Sequence, residues 1–564
     1  MKERTDDLAF TMRWRDDELL DDETRTMLCG PGAPYELVEE EVLGEPLRVF
    51  AQRLHNLRDA AVRAAEQHAD SPYLIFPDDT VTFAQLLERV GAYAAVLAEE
   101  YGVGKGDRVA VASANTIEYA LTEWACLVSG AVVTGLNGWW TAAELAYGVQ
   151  LTQPKVVFAD EPRLARLRES GIEVPVVDWS ELAALVASHG DAPLPETPID
   201  EDDPAIILFT SGTTGRPKGA TISHRNVIHF AMSSGLRGAT SMFLTGPGGP
   251  PSFQAAPVSL CGTPLFHISG TAPLLMTGPF YGSAVVFMPP GRWDPTTHLE
   301  LTARHRVASW SGVPTMYWRL LDHPDFESYD LTCVRAVGSG GAPFPPELIR
   351  LLHERFPGVG VTNGYGASET MGSGTLSFGP LMEHHPDAVG RATPAIDIQI
   401  RDDEGNPLPE GEVGEICIRS ATVFLGYWDD PEATAAAFWP GRWYRTGDFG
   451  HFEDGVLFVE SRMRDLILRG GENIYPIEIE NRLVEHPSIV DAAVVGVDHR
   501  ELGQEVKAFV VLAPGAAPLT ASEVQEWVGA ALAPFKVPAH VELRDELPYT
   551  ATGKVLKQEL EAES

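Results

Sequence analysis

Residues 205–219 read Ala-Ile-Ile-Leu-Phe-Thr-Ser-Gly-Thr-Thr-Gly-Arg-Pro-Lys-Gly, an apolar run of strand type that breaks into hydroxyls, glycines and one lysine. In chemical terms this is a phosphate loop. Gly212, Gly215 and Gly219 let backbone N–H groups approach phosphate oxygens, while Thr210, Ser211, Thr213 and Thr214 add hydroxyls and Lys218 adds a mobile charge. The spacing is not the common Gly-x-x-x-x-Gly-Lys, because Pro217 stands where the second glycine would have to be. A flexible Gly/Thr connector between two strands, 205–209 and 220–223, fits the same letters when composition alone is judged.

The rest of the chain bounds the possibilities. At 564 residues it exceeds what one core usually serves, which predicts at least two domains. With 44% apolar and 22% charged residues it reads as ordinary globular protein, and a net charge of −38 argues against nucleic acid or an anionic membrane as partner. Any phosphate-bearing ligand must then meet a local positive site. Five cysteines, at 29, 126, 261, 333 and 417, are dispersed with no Cys-x-x-Cys pair, so they read as reduced core thiols of a cytoplasmic protein. No run approaches 18 apolar residues, and neither a membrane span nor secretion is expected.

Taken in order, residues 1–46 are acidic and weakly periodic and are expected to form a peripheral extension. Apolar spacing from Leu47 predicts a helix to about Glu66. A hairpin is expected around Pro77-Asp78-Asp79, and Thr82 with Gln85 forms a capping box for a helix toward Glu100. Segment 107–113, a helix through Leu127 and segment 131–134 alternate strand, helix, strand as a parallel sheet does. Residues 186–204 read as a surface crossing, and Gly246 to Ser252 as a loop too rich in Gly and Pro for regular structure.

Four further segments carry chemistry. Pro264-Leu-Phe-His-Ile-Ser-Gly270 places His267 among apolar residues, where a satisfied core histidine is the commoner outcome. Residues 336–343, ending Gly341-Ala342-Pro343, form a Gly-rich turn after a strand. In Asn363-Gly364-Tyr365-Gly366-Ala367-Ser368-Glu369-Thr370, Tyr365 can stack on a purine, Asn363 can bond its edge, and Glu369 is a hard oxygen ligand suited to Mg²⁺. In Tyr444-Arg-Thr-Gly-Asp448 the carboxylate can accept two ribose hydroxyls. Singly, each also reads as a turn residue or a cap. Beyond Arg462 the chain is compact and mixed: a helix from Pro476 to about Glu485, strands at 490–497 and 505–512, a helix capped by Thr520 and Glu523, a strand at 539–543, and a terminal Pro548-Tyr-Thr-Ala-Thr-Gly-Lys554.

These segments, from the phosphate loop to Lys554, resemble in sequence and order the motifs of the adenylate-forming (ANL) superfamily, in its acyl-CoA synthetase or fatty-acid-CoA ligase type. The resemblance implies an α/β fold: a large N-terminal domain of mixed, mainly parallel sheets and helices over residues 1–463, and a small mobile α+β lid over 464–564, hinged at Arg464. It implies ATP, Mg²⁺ and CoA, and two half-reactions: a carboxylate attacks the α-phosphate of ATP to give acyl-AMP and pyrophosphate, then a thiol takes the acyl group and AMP leaves.

The implied roles are specific. Thr210 to Gly215 with Lys218 hold the β,γ-phosphates, and Glu369 with Thr214 holds Mg²⁺. Gly341, Ala342, Pro343, Asn363, Gly364, Tyr365, Gly366 and Ser368 surround the nucleotide, with Asp448 on the ribose and Arg462 beside it. Lys554 meets the carboxylate and α-phosphate, and Gly470 and Gly471 line the CoA tunnel. Phe266, His267, Gly270, Gly341 and Gly366 bound the acid pocket. With no carboxylate between Pro264 and Phe280, that pocket suits a hydrophobic acid without an amine. Two alternatives remain: loading of the acyl group onto an acyl carrier protein, and a non-catalytic nucleotide-binding relic.

Overall fold

The structure is a computed structural model, and it describes residues 10–15, 19–210, 216–245, 258–340, 344–462, 465, 467–469, 472–474, 476–500, 502–532, 534–549 and 555–564. Among these, strands assemble into two large sheets, a small N-terminal hairpin and a separate C-terminal sheet. In the seven-stranded sheet, Pro204–Thr210, Val132–Gly135, Arg108–Ala112, Val156–Ala159 and Val176–Asp178 run parallel, and Lys218–Ser223 and Gly426–Tyr427 close one edge antiparallel. In the other large sheet the central run is also parallel: Gly360–Tyr365, Ala336–Gly340, Ser309–Gly312, Ser259–Cys261, Val285–Phe287 and Pro72–Ile75. Antiparallel strands extend it, including Asp397–Arg401, Gly414–Arg419, Trp443–Glu453 and Val456–Arg462.

The core explains why both sheets read as near-continuous apolar runs. Val109, Val133 and Ile206 from one sheet and Leu74, Val285, Ile398 and Ile416 from the other belong to a single buried cluster, with helices between them. One of those helices, Ile117–Ser129, is buried at every position from Tyr119 to Ser129. The carboxylate of Glu123 goes in with it: the residue is 1% exposed and its Oε1 has no hydrogen-bond partner among the described residues. Burial pushes its pKa from 4.5 to about 8.

That shift has a sign. Between the two values the unfolded chain has released its proton while the folded chain keeps it, so Glu123 lowers stability progressively as pH rises through this window. Glu123→Gln removes the titration, so its thermal midpoint should gain on the parent by several degrees between pH 5 and pH 8. A gap that stays constant with pH would contradict the assignment.

The N-terminal region departs from expectation twice. Residues 47–50 do not start a helix: Leu37–Val42 and Glu45–Phe50 form a hairpin, and the helix is Leu57–His68, capped by the Asn56 side chain. A two-residue turn decides this, because Leu43 and Gly44 both have positive φ (52° and 83°), the geometry that matches strand twist. The stretch expected to be peripheral is also tied in. Met12–Arg13 adds a strand beside Asp397–Arg401, Met12 is buried, and Arg13, Arg48 and Arg419 converge on the Asp397 carboxylate at 3.0, 2.6 and 3.1 Å.

Elsewhere the local signals hold. The hairpin at Pro77-Asp78-Asp79 joins Pro72–Ile75 to Thr80–Thr82, and the Thr82/Gln85 box caps Phe83–Tyr101 with both reciprocal bonds. Past residue 466, five strands and the helices Pro476–Val484 and Ala521–Gly529 enclose their own cores. In the strand Ile489–His499, Ala492 and Val494 face one core while Ala493 and Val495 face the other. Among the described residues, no helix is long and apolar enough to cross a membrane. No disulfide forms among the described residues, four of the five cysteines are buried, and burial raises the Cys261 thiol to about 11.

Candidate functional site

The strands on either side of the stretch read as a phosphate loop pair antiparallel. Their register sets Thr210 opposite Lys218, so Lys218 is the first residue of the returning strand and stands at the mouth of the turn. Ser211, Gly212, Thr213, Thr214 and Gly215 lie outside the described residues. Next to the turn, the Tyr147 hydroxyl donates to the Pro217 carbonyl at 3.2 Å and its ring carries the Arg216 guanidinium at 5.6 Å. Gly219 is glycine for space, since a Cβ there would stand 2.8 Å from Ile207 Cγ2.

The second group gathers at the carboxyl ends of two parallel strands, where open α/β sheets place ligands. Ser339 and Asn363 are register partners on Ala336–Gly340 and Gly360–Tyr365. Asn363 is 5% exposed, yet its Oδ1 and the Ser339 Oγ have no hydrogen-bond partner among the described residues. Buried polar atoms are normally satisfied, so orphans at a strand end fit a purine that would supply N–H donors. Gly341, Ala342 and Pro343 follow directly and lie outside the described residues.

From this strand the chain enters a 3₁₀ turn at Ser368–Thr370. Gly364 continues the ladder opposite Leu376, whereas Gly366 is required for space, because its Cβ would sit 2.4 Å from the Gly372 carbonyl carbon. Tyr365 donates to Asp448 Oδ2 at 2.8 Å, which joins the purine strand to the half-buried carboxylate assigned to ribose. Asp448 pairs in register with Arg462 on the neighbouring strand. Glu369 is 7% exposed, and its Oε1 accepts from the Tyr427 hydroxyl at 3.0 Å. Lys218 Nζ lies 4.9 Å from the centre of the same tyrosine ring. The hairpin lysine and the turn carboxylate therefore meet on one side chain.

These groups also permit a divalent ion. The carboxylate of Glu369 keeps its second oxygen off Tyr427, and no cluster of three or more His, Cys, Asp or Glu forms a cage among the described residues. A single hard carboxylate oxygen fits Mg²⁺ held mainly by phosphate and water.

The segment expected to bound the acid pocket is built on a helix start. His267 caps Ile268–Ala272, its Nδ1 accepting from the Ser269 N–H at 3.3 Å. Gly270 is dictated by the turn, since its Cβ would fall 2.2 Å from the Pro264 carbonyl oxygen. Phe266 is buried and meets the edge of Trp139 at 5.2 Å, and Trp139 is itself 52% exposed. The loop bearing Trp139 is held by Arg163 and Arg166, which donate to the Gly138 and Trp140 carbonyls.

Arg464, Gly470, Gly471 and Lys554 lie outside the described residues. Immediately after Lys554, Val555 bridges to Tyr549, and the Tyr549 hydroxyl donates to Asp491 within the C-terminal sheet. The residue most plainly missed from sequence is Tyr427. A Gly-aromatic pair just before the Asp430-capped helix Pro431–Ala436 was the available signal.

Comparison with known proteins identifies the family. The sequence profile of the AMP-binding enzyme family matches residues 61–428, and that of the AMP-binding enzyme C-terminal domain matches residues 478–554. The chain is 33% identical to a feruloyl-CoA synthase of Amycolatopsis sp, covering 85% of this chain and 93% of that one. It is 30% identical to the mitochondrial medium-chain acyl-CoA ligase ACSF2 of Mus musculus, covering 92% and 86%. The crystal structure of ATP-bound MatB from Rhodopseudomonas palustris superposes with a TM-score of 0.77 at 30% identity, covering 90% of this chain and 99% of that one.

Proposed function

The chain belongs to the AMP-binding enzyme family, among its AMP-forming acid–thiol ligases, and on that premise we propose that it activates a hydrophobic carboxylic acid without an amine and transfers it to CoA. The observation that carries this reading is the convergence of Lys218, Glu369, Asp448 and the orphaned Asn363 Oδ1 around the strand ends. In this reading residues 1–463 form the nucleotide and acid domain and 464–564 a lid that turns about Arg464. Two anions meet in the first half-reaction, so catalysis is mainly positioning and charge neutralisation. Lys218 and the hairpin hydroxyls neutralise the departing β,γ-phosphates, and Glu369 with Thr214 would hold Mg²⁺, whose charge offsets that of the polyphosphate. Lys554 orients the acid carboxylate toward the α-phosphate. Asp448 holds the ribose through both halves.

In the second half the lid turns, Lys554 withdraws and Gly470 and Gly471 line the path of the pantetheine thiol, where a side chain would narrow it. The acid lies beyond His267, against Phe266 and Gly270, a wall with no carboxylate from Pro264 to Phe280 to pair with an ammonium. The test is ATP–pyrophosphate exchange across aromatic, medium-chain, long-chain and polycyclic acids, followed by mass analysis of the product formed with CoA and with a holo carrier protein. Exchange with a hydrophobic acid and an acyl-CoA product is the expected result. No exchange with any acid, exchange confined to amino acids, or acyl transfer only to the carrier would overturn it.

A further inference from the structure

Lys218 and Glu369 carry opposite charges and approach the same spot from different elements. In a partly desolvated site, unlike charges attract by several kcal/mol at 4 Å, so direct pairing would be the default. Here a tyrosine stands between them. Its hydroxyl takes Glu369 Oε1 at 3.0 Å, and its ring face takes Lys218 Nζ at 4.9 Å.

The backbone around Tyr427 is fixed to both partners. Ala220 and Thr221, just past Lys218, pair with Tyr427 and Gly426, and the Trp428 N–H donates to the Gly219 carbonyl at 2.7 Å. On the other side the Phe424 N–H donates to the Glu369 carbonyl at 2.8 Å. Gly426 sits at φ 151° with no room for a Cβ, which would fall 2.5 Å from Thr434 Cγ2, and Thr434 Oγ1 accepts from the Tyr427 N–H at 2.8 Å. The ring packs edge-on to Phe424 at 4.9 Å.

We propose that Tyr427 is a positioning residue for adenylation: its hydroxyl fixes one oxygen of Glu369, its ring seats Lys218, and its bulk keeps the two from pairing before a polyphosphate arrives. The proposal rests on the adenylation reading above. It separates two contributions, because Tyr427→Phe removes the hydroxyl and keeps the ring, whereas Tyr427→Leu removes both.

The experiment is calorimetric binding of MgATP to the full-length protein without acid, so that the readout is affinity and not turnover. Tyr427→Phe should weaken binding about 10-fold, the range for a hydrogen bond to a charged group. The same change made in Glu369→Ala should cost almost nothing more, because a residue that acts through Glu369 has nothing left to position. Tyr427→Leu should lose several-fold beyond Phe, and that extra loss should vanish in Lys218→Met. Additive losses in either cycle, or unchanged affinity in Tyr427→Phe, would overturn the proposal. Failure of the parent protein to bind MgATP would instead sink the adenylation reading.

Discussion

Lys554→Ala is expected to lower the rate of adenylation at least 100-fold, about 3 kcal/mol or more, while leaving thioester formation from supplied acyl-AMP within several-fold of the parent. The asymmetry follows from the chemistry of the two halves. In the first, a carboxylate and a phosphate, both negative, must be brought together, and one preorganised cation bridging them lowers the barrier directly. In the second, the mixed anhydride of acyl-AMP is already formed and the incoming thiol needs access to its acyl carbon, which a retained lysine would obstruct. Val555, the residue after Lys554, bridges to Tyr549, which ties the described end of the chain to the C-terminal sheet. Pyrophosphate exchange and single-turnover transfer from synthetic acyl-AMP measure the halves separately. Equal losses in both would remove Lys554 from the proposed role.

Sequence reading reached furthest where information is local. The capping boxes at Thr82/Gln85 and Thr520/Glu523 depend on residues three apart, and both form with reciprocal bonds. The strand expected at 490–497 forms as Ile489–His499, and its continuous Ala492-Ala-Val-Val495 run is buried because both faces are covered. Local patterns misled at Leu47–Phe50, where helical spacing of apolar residues coincided with a strand and the Leu43-Gly44 turn was the stronger signal. Glu123 shows a different limit: a charge within a helical pattern reads as a solvated face, yet the helix that carries it is enclosed all round.

The site was legible as a set of motifs and illegible as a network. Glu369 and Tyr427 are 58 residues apart, and Tyr365 and Asp448 are 83 apart, so no spacing rule ties them together. Lys218 reaches Tyr427 through the antiparallel pairing of Gly426–Tyr427 with Lys218–Ser223, which only the assembled sheet supplies. The same holds for Asn363, whose residue type suggested a purine contact but whose Oδ1 is buried without a partner among the described residues, a property of packing.

Asp448→Ala should contrast with Lys554→Ala by damaging both half-reactions. The carboxylate is proposed to accept both ribose hydroxyls, and the ribose stays bound from ATP through acyl-AMP to AMP, so its loss is felt at every stage. Two charge-assisted bonds at about 1.5–3 kcal/mol each predict a fall in nucleotide affinity of 100-fold or more. A second loss compounds the first: the Tyr365 hydroxyl, which now donates to Asp448 Oδ2 at 2.8 Å, loses that acceptor, and the ring proposed to stack on the purine loses one restraint. Asp448→Asn keeps an acceptor for Tyr365 and should retain more affinity than Ala, a difference that would not arise if Asp448 served only the local strand pairing. The measurement is the KM for ATP in exchange together with the KM for supplied acyl-AMP in transfer, and both should rise in Asp448→Ala. A rise confined to ATP would mean that the carboxylate serves the polyphosphate and not the ribose.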